Sequence, residues 1–290
     1  MTLPVDFTWP NGATLAVSIV VNVEEGAEQN ILDGDKAPEP VDELGAVPKK
    51  PLRAHGNESN YQYGIKAGWP RVLRLLDAYG IDPTVTAAAL ALARAPQIAG
   101  DLRTRRWEVA GHGYRWSHQF WMDEAAERDF IVKARDLIAA TTGEPPKGWL
   151  SRYLVTDNTR RILAEEGFVY HMDDYSDDLP FWDAVTTHQG RKPIVVMPYA
   201  IDTNDMKMWV APAMQPWDWA RYAIETLDWL SREPGPRMAS IGLHLRIVGR
   251  PGRIGALEQI LEHVSKMPNV WVASRAKIAA AFAAAVAPPS

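Results

Sequence analysis

T-L-A-V-S-I-V-V-N-V, residues 14–23, is a short, nearly unbroken run rich in β-branched residues. That pattern suits a parallel strand buried on both faces, because an antiparallel strand with one wet face would alternate apolar and polar. Outward from it, further extended runs are predicted at 84–88, 107–110, 148–150, 168–172, 194–197, 239–243 and 270–273. Helical spacing lies between them, at 69–79, 90–99, 124–140, 158–166, 217–230 and 254–264, with an alanine-rich helix at the end. Gly80 stands where a left-handed cap closes the first helix, and Asp123 where an N-cap opens the third. Strands alternating with helices imply parallel pairing through right-handed crossovers. The predicted fold is therefore α/β, a single-domain distorted (β/α) barrel of about seven parallel strands over residues 1–290. Residues 24–59 are acidic, rich in Gly and Pro and without apolar periodicity, so they are expected to form a long active-site or interface loop.

Composition narrows the function. The net charge of −5 comes from 31 basic and 36 acidic residues mixed along the chain, with no basic run to grip a phosphate backbone, so nucleic acid is not an expected partner. No cysteine is present, which excludes disulfides, thiolate metal sites and cysteine nucleophiles. No apolar run is long enough to span a bilayer and the start lacks a leader pattern. The expectation is a soluble cytoplasmic protein with no membrane partner.

In such barrels chemistry gathers at the C-terminal ends of the strands. Glu24 and Glu25 follow the first run, in N-V-E-E-G (22–26). His112 follows the run at 107–110, in A-G-H-G-Y-R-W-S-H (110–118), and His244 ends the run at 239–243, in G-L-H-L-R (242–246). Taken singly, paired glutamates read most simply as solvated loop charge and a lone histidine as a hydrogen-bonded core residue. Three clusters at equivalent strand ends favour one site.

Together they resemble the polysaccharide deacetylase superfamily, which pairs an Asp-Asp motif after the first strand with a His-x-x-x-His motif and a late Leu-His. The matching residues are Glu24 and Glu25, His112 with Trp116 four positions later, and Leu243 with His244. In metal-dependent members the second acid and both middle histidines bind the metal; here the second histidine is Trp116. E-E-G-A-E (24–28), E-S-N-Y-Q-Y-G (58–64), H-G-Y-R-W (112–116), D-D-L-P-F-W (177–182), D-T-N-D-M (202–206) and G-L-H-L-R-I-V-G-R-P-G-R (242–253) are similar to the metal-independent branch of allantoinases and cyclic-imide hydrolases. The resemblance implies a hydrolase that opens a non-peptide C–N bond of a small cyclic ureide or imide, allantoin-like, without a cofactor. Glu24 is then expected as the base and Glu25 as the group positioning water. His244 is expected to protonate the leaving nitrogen and His112 to donate to the oxyanion. Glu58, Arg115, Trp116 and Arg152 are the expected substrate contacts, and the partner is a small molecule, with the protein a homo-oligomer such as a tetramer.

The chemistry agrees with that branch. Without a metal, water keeps its pKa near ~15.7, so the carbonyl itself must be reactive, as in a ring imide or ureide. The alternative is a metal-dependent N-deacetylase of chitooligosaccharide or another acetylated sugar, with zinc on Glu25, His112 and His118; the second alternative is an inactive barrel that binds a ligand or partner. Arg246, Arg250 and Arg253 read as a solvated or subunit-contact surface, and His263 as surface. His55, His171 and His188 receive no role. The twelve tryptophans are expected to divide between core and subunit contacts.

Overall fold

β1 (Leu15–Val23) pairs with three other strands in the computed structural model, which describes residues 7–40 and 50–289. The chain continues through α1 (His55–Tyr63), a π-helical stretch at Gly64–Gly68, α2 (Trp69–Ala78), β2 (Thr84–Ala87), α3 (Ala89–Arg94) and α4 (Pro96–Arg105). Then come β3 (Glu108–Gly111), α5 (Glu124–Thr142), β4 (Gly148–Trp149), α6 (Thr159–Glu165), β5 (Tyr170–His171), β6 (Phe181–Thr187) and β7 (Gly190–Val196). α7 (Pro216–Leu230), β8 (Arg237–His244), α8 (Pro251–Lys266), β9 (Val270–Val272) and α9 (Arg275–Ala285) complete it.

The strand order is β6-β7-β5-β4-β3-β2-β1-β8, with β9 also on β1. Among the described residues every pairing is parallel except that of β6 with β7, which adds an antiparallel hairpin to an α/β barrel. Among the described residues no ladder closes the sheet between β8 and the hairpin, and one parallel bridge, Asn204 to Gly242, lies at that seam. No described helix is long and apolar enough to cross a membrane.

All nine residues of β1 are buried, as the unbroken apolar run predicts. Leu15, Val17, Ile19, Val21 and Val23 pack into the core under the helices, whereas Ala16 and Val20 belong to a second cluster inside the barrel. Strand residues alternate between faces. Ser18 and Asn22 therefore share the inner face: Asn22 accepts from the Thr86 hydroxyl at 2.6 Å, and Ser18 takes a bond from the buried Arg275 guanidinium at 3.3 Å. One step beyond the strand the same alternation turns Glu24 into the barrel mouth. Trp9, Trp69, Trp149 and Trp219 are core residues, while Trp121, Trp217 and Trp229 stand exposed.

Two features depart from the sequence reading. The stretch at 181–193 pairs as a hairpin where only 194–197 was expected as strand. The loop expected to reach residue 59 ends at His55, where α1 begins; Gly56, Asn57, Ser59 and Asn60 are weak helix formers, and tertiary contacts hold the turn. Asn57 donates to Glu39 O at 3.0 Å and Tyr61 is buried. The π-helical stretch then carries the chain past the turn after β8, where Gly68, Leu245 and Gly249 meet backbone to backbone. A Cβ on Gly68 would lie 2.2 Å from Leu245 O. Gly68→Ala is accordingly expected to lower the unfolding free energy in urea by about 2–3 kcal/mol through overpacking. Gly56→Ala, in open space on α1, should change it by less than about 1 kcal/mol; equal effects at the two positions would contradict the close approach.

Candidate active site

The turn after β1 is tight. Gly26 adopts φ +92°, a left-handed conformation suited to glycine, and Ala27 N–H closes on Glu24 O at 3.0 Å. Glu24 and Glu25 are thereby held at the strand end, both fully buried. Their side chains diverge as neighbours on an extended chain must. Glu24 faces the barrel axis, while Glu25 lies against α1's continuation, where a Cβ on Gly64 would come 2.4 Å from its Oε1.

The register of β1 with β8 pairs Asn22 with His244, so the next residues on the same face, Glu24 and Arg246, meet. Arg246 Nη1 donates to Glu24 Oε2 at 2.6 Å and stands 3.7 Å from Glu25 Oε1, with its guanidinium 4.6 Å over the Tyr61 ring. Arg246 is 2% exposed, which corrects its reading as surface. Arg250 and Arg253 lie over the rings of Tyr63 and Trp209.

His112 and His244 converge on the other Glu24 oxygen. Their Nε2 atoms lie 3.4 and 3.3 Å from Oε1, an oxygen that is buried and has no bond of good geometry. The far side of each ring is tied down. His112 Nδ1 donates to Leu150 O at 2.7 Å, which leaves a lone pair on Nε2 whenever that ring is neutral. His244 Nδ1 donates to Asp205 Oδ1 at 2.7 Å. Asp205 Oδ2 accepts from His244 N and Val248 N at 2.8 and 3.1 Å, so one buried carboxylate both orients the imidazole and shapes the turn carrying Arg246.

Charge divides the groups. Burial disfavours an ionised Glu24, but the charges of Arg246 and His244 outweigh it and hold its pKa well below the usual carboxylate range. For Glu25 burial wins over Arg246, helped by repulsion from Glu24, and its pKa rises to about 7. Burial also opposes a charged His244, yet Glu24 and Asp205 lift its pKa to about 10.

The expected site residues thus separate. Glu24, Glu25, His112 and His244 come together, with Trp116 buried beside them, its ring centroid 4.7 Å from that of His112. Arg115 and Arg152, expected to hold substrate, instead engage the loop that follows β1. Arg115 bonds Asp35 at 2.5 Å, and Arg152 forms a bidentate pair with Glu39. Glu58 is taken up by Arg53 at 2.7 Å and is not part of the buried cluster. His118 Nδ1 donates to Arg152 O at 3.1 Å and its ring packs on Phe120. Asp205 and Tyr61 carry no role in the sequence reading and Arg246 only one at the surface; their signal is that they sit within the quoted segments at 58–64, 202–206 and 242–253. Of the unassigned histidines, His171 is buried against Asp173 at 2.6 Å, while His55 and His188 are exposed. His263 is half-buried, paired with Asp228 at 2.7 Å.

The metal set Glu25, His112 and His118 does not assemble, and among the described residues no three His, Asp or Glu side chains form a metal-holding group. The donor set explains this. An arginine already lies on the two carboxylates, and an indole stands beside His112.

A sequence profile described as polysaccharide deacetylase matches residues 59–171. A Schizosaccharomyces pombe protein described as a putative polysaccharide deacetylase is 33% identical over 305 residues, covering 97% of this chain and 94% of its own. The crystal structure of Puue allantoinase superposes with a TM-score of 0.93 at 38% identity, over 100% of this chain and 96% of that one. A probable polysaccharide deacetylase from Pseudomonas aeruginosa PAO1 gives a TM-score of 0.90 at 37% identity, over 97% and 95%.

The pKa directions fix how stability responds to pH. Glu24, held low, contributes stability present above 4.5 and lost as pH falls. Glu25 contributes in the opposite sense, losing its share as pH rises from 4.5 through about 7. His244 contributes fully below 6.5 and loses it as pH rises through about 10. The unfolding free energy is expected to fall by a few kcal/mol between about pH 6 and 10. Asp205→Asn, which removes one of the carboxylates that raise His244, should flatten that decline and lower the imidazole pKa seen by NMR. A His244 ring already neutral at pH 8 in the unaltered protein would contradict the charge assignment.

Proposed function

Because the chain belongs to the polysaccharide deacetylase family, whose members hydrolyse carbon–nitrogen bonds other than peptide bonds, we propose that it opens the ring of a small cyclic ureide or imide without a metal, with allantoin as the first substrate to test. The observation that carries this reading is the Arg246 guanidinium seated on Glu24 and beside Glu25. A second cation would meet a fixed positive charge there, and Trp116 offers no lone pair. With no metal to activate water or polarise a carbonyl, the reaction needs a carbonyl already activated by a second acyl or carbamoyl group. The likeness to Puue allantoinase over the whole chain supports the same substrate class.

The side chains divide the work. Glu24 Oε1, open between the two imidazoles, accepts a hydrogen bond from the attacking water and fixes its position. Glu24 is held too acidic to be a strong base on its own, since efficient proton transfer wants a base poised near the working pH. The Nε2 lone pair of His112, fixed by the Nδ1 bond to Leu150, receives the water's proton. This revises the expectation that His112 donates to the oxyanion, a task open to Nε2 only in a doubly protonated ring. His244, kept protonated by its two carboxylates, delivers a proton to the departing ring nitrogen. Glu25, with a pKa of about 7, hydrogen-bonds the neighbouring backbone and spares the site a second fixed negative charge.

Names of relatives favour a second reading, N-deacetylation of a sugar, and chelation separates the two. The proposal expects ring opening of allantoin, hydantoin or succinimide to be unchanged after exhaustive dialysis against a chelator. Activity on an acetylated sugar that disappears and returns with zinc would overturn it. Glu24→Gln, which keeps an acceptor for Arg246 but loses the charge, should lower kcat by about 10³-fold or more while the far-ultraviolet spectrum stays native. Near-normal turnover in that variant would remove Glu24 from the mechanism.

A further inference from the structure

The catalytic cluster is closed from solvent. His112 and His244 are 3% and 5% exposed, so part of their surround has to give way for a substrate, and the loop after β1 is one wall of it: Trp116, packed on His112, donates its backbone N–H to Ala27 O at 2.9 Å. Three arginines hold residues 24–40 down: Arg94 at the end of α3 on Asp33, Arg115 after β3 on Asp35, and Arg152 after β4 on Glu39. The first two pairs have arginines 42% and 23% exposed, where ion pairs are worth little. The third is different. Glu39 is 2% exposed and takes both outer nitrogens of the Arg152 fork, while Arg152 Nε is buried without a partner.

Arg152 also stands next to the chemistry. Its guanidinium lies 4.6 Å over the Trp116 ring, and Trp116 packs at 4.7 Å on His112. Glu39 in turn is tied into the loop: its N–H donates to Gln29 O at 2.8 Å, its carboxylate accepts from Gln29 N at 3.3 Å, and its carbonyl accepts from Asn57 of α1 at 3.0 Å. Glu39 is thus the point at which the Arg152 fork, Gln29 of the loop and Asn57 of α1 are joined.

Ring hydrolysis, on the reading proposed above, generates the ligand that does this. Water adds to the carbonyl carbon, the ring C–N bond breaks with its electron pair going to nitrogen, and nitrogen takes up a proton. The carbonyl becomes a carboxylic acid, which loses a proton to give a carboxylate. A neutral substrate offers a guanidinium fork only uncharged carbonyl oxygens, whereas its product offers a carboxylate that matches the fork in charge and geometry. We propose that Arg152 is the product-carboxylate site, occupied in the resting protein by the Glu39 carboxylate, and that exchange of Glu39 for the newly formed carboxylate releases the loop over residues 24–40.

Because Glu39 is tethered, it competes at a high effective concentration, and its removal should expose the site to a free carboxylate. Succinamate, a ring-opened half-amide, is the probe and succinamide its uncharged control. By calorimetry at pH 7, Glu39→Gln is expected to bind succinamate about tenfold or more tightly than the unaltered protein, with succinamide unchanged. The double variant Glu39→Gln/Arg152→Gln should lose that gain. In the unaltered protein, saturating succinamate but not succinamide should speed amide exchange at residues 24–40. No gain in Glu39→Gln, or exchange that is unchanged or slower, overturns the proposal. Since neither measurement involves turnover, the carboxylate gain without ring opening would remove the function reading alone, and ring opening without the gain would remove only this one.

Discussion

One buried ion pair, Arg246 on Glu24, sets the terms for the rest of the site. Two carboxylates in sequence at the end of a buried strand cannot both carry charge in a dry interior unless a cation is supplied, and leaving a single buried charge unpaired typically costs about 3–5 kcal/mol. Arg246 reaches Glu24 Oε2 at 2.6 Å but Glu25 only at 3.7 Å. The same guanidinium thus keeps one acid ionised and leaves the other to its burial, so adjacent and chemically identical groups are pushed apart in pKa. Separation of that kind is how a site obtains distinct roles from like residues. Glu24's charge then propagates, since it and Asp205 keep His244 protonated.

The pair exists because of strand register. In a parallel ladder a shift by two keeps residues on the same face, so the pairing of Asn22 with His244 carries forward to Glu24 and Arg246. A slip by one would turn Glu24 toward the helices and bring Glu25 inward. A glycine lets the neighbouring segment approach the other side of β8. Gly242 on β8 admits Tyr199 and Asn204 across the open seam of the barrel, where a Cβ would fall 2.3 Å from the Tyr199 hydroxyl. The seam residues matter to the site because the same segment delivers Asp205 behind His244.

The legibility of all this in the sequence follows the range of the forces involved. β1, β2, β3 and β8 announce themselves through local composition, since a strand buried on both faces must be apolar nearly throughout. Strand ends therefore located Glu24, Glu25, His112 and His244. The hairpin of β6 with β7 was less legible because Arg191, Lys192 and Pro193 lie beyond the two β7 residues that pair with β5 and read as loop. α1 lacked an apolar period because its support is a few long-range contacts. Arginines gave the least information: Arg115, Arg152 and Arg246 look alike as letters, and only the fold decides that the first two hold the loop while the third is buried on Glu24. An arginine next to a Leu-His strand end was the available hint, yet nothing local distinguishes a buried guanidinium from a solvated one.

The departures from the family's Asp-Asp and His-x-x-x-His pattern form one physical package. Glutamates in place of aspartates extend further from the strand end, and the longer Glu25 is accommodated because position 64 is glycine, where a Cβ would strike its carboxylate at 2.4 Å. The extra reach of Glu24 brings its two oxygens to different partners, Arg246 on one side and the imidazole pair on the other. Trp116 occupies the place of a ligating imidazole and supplies instead a face for Arg152, which a histidine ring would cover less well and, once protonated, would repel. Reversing any one change alone leaves the others mismatched: an aspartate at 24 draws back from Arg246, and a histidine at 116 still faces a carboxylate pair that already holds a fixed cation. The site is coherent as a charge-neutralised pocket organised by arginines, and that coherence follows from reach, volume and charge together.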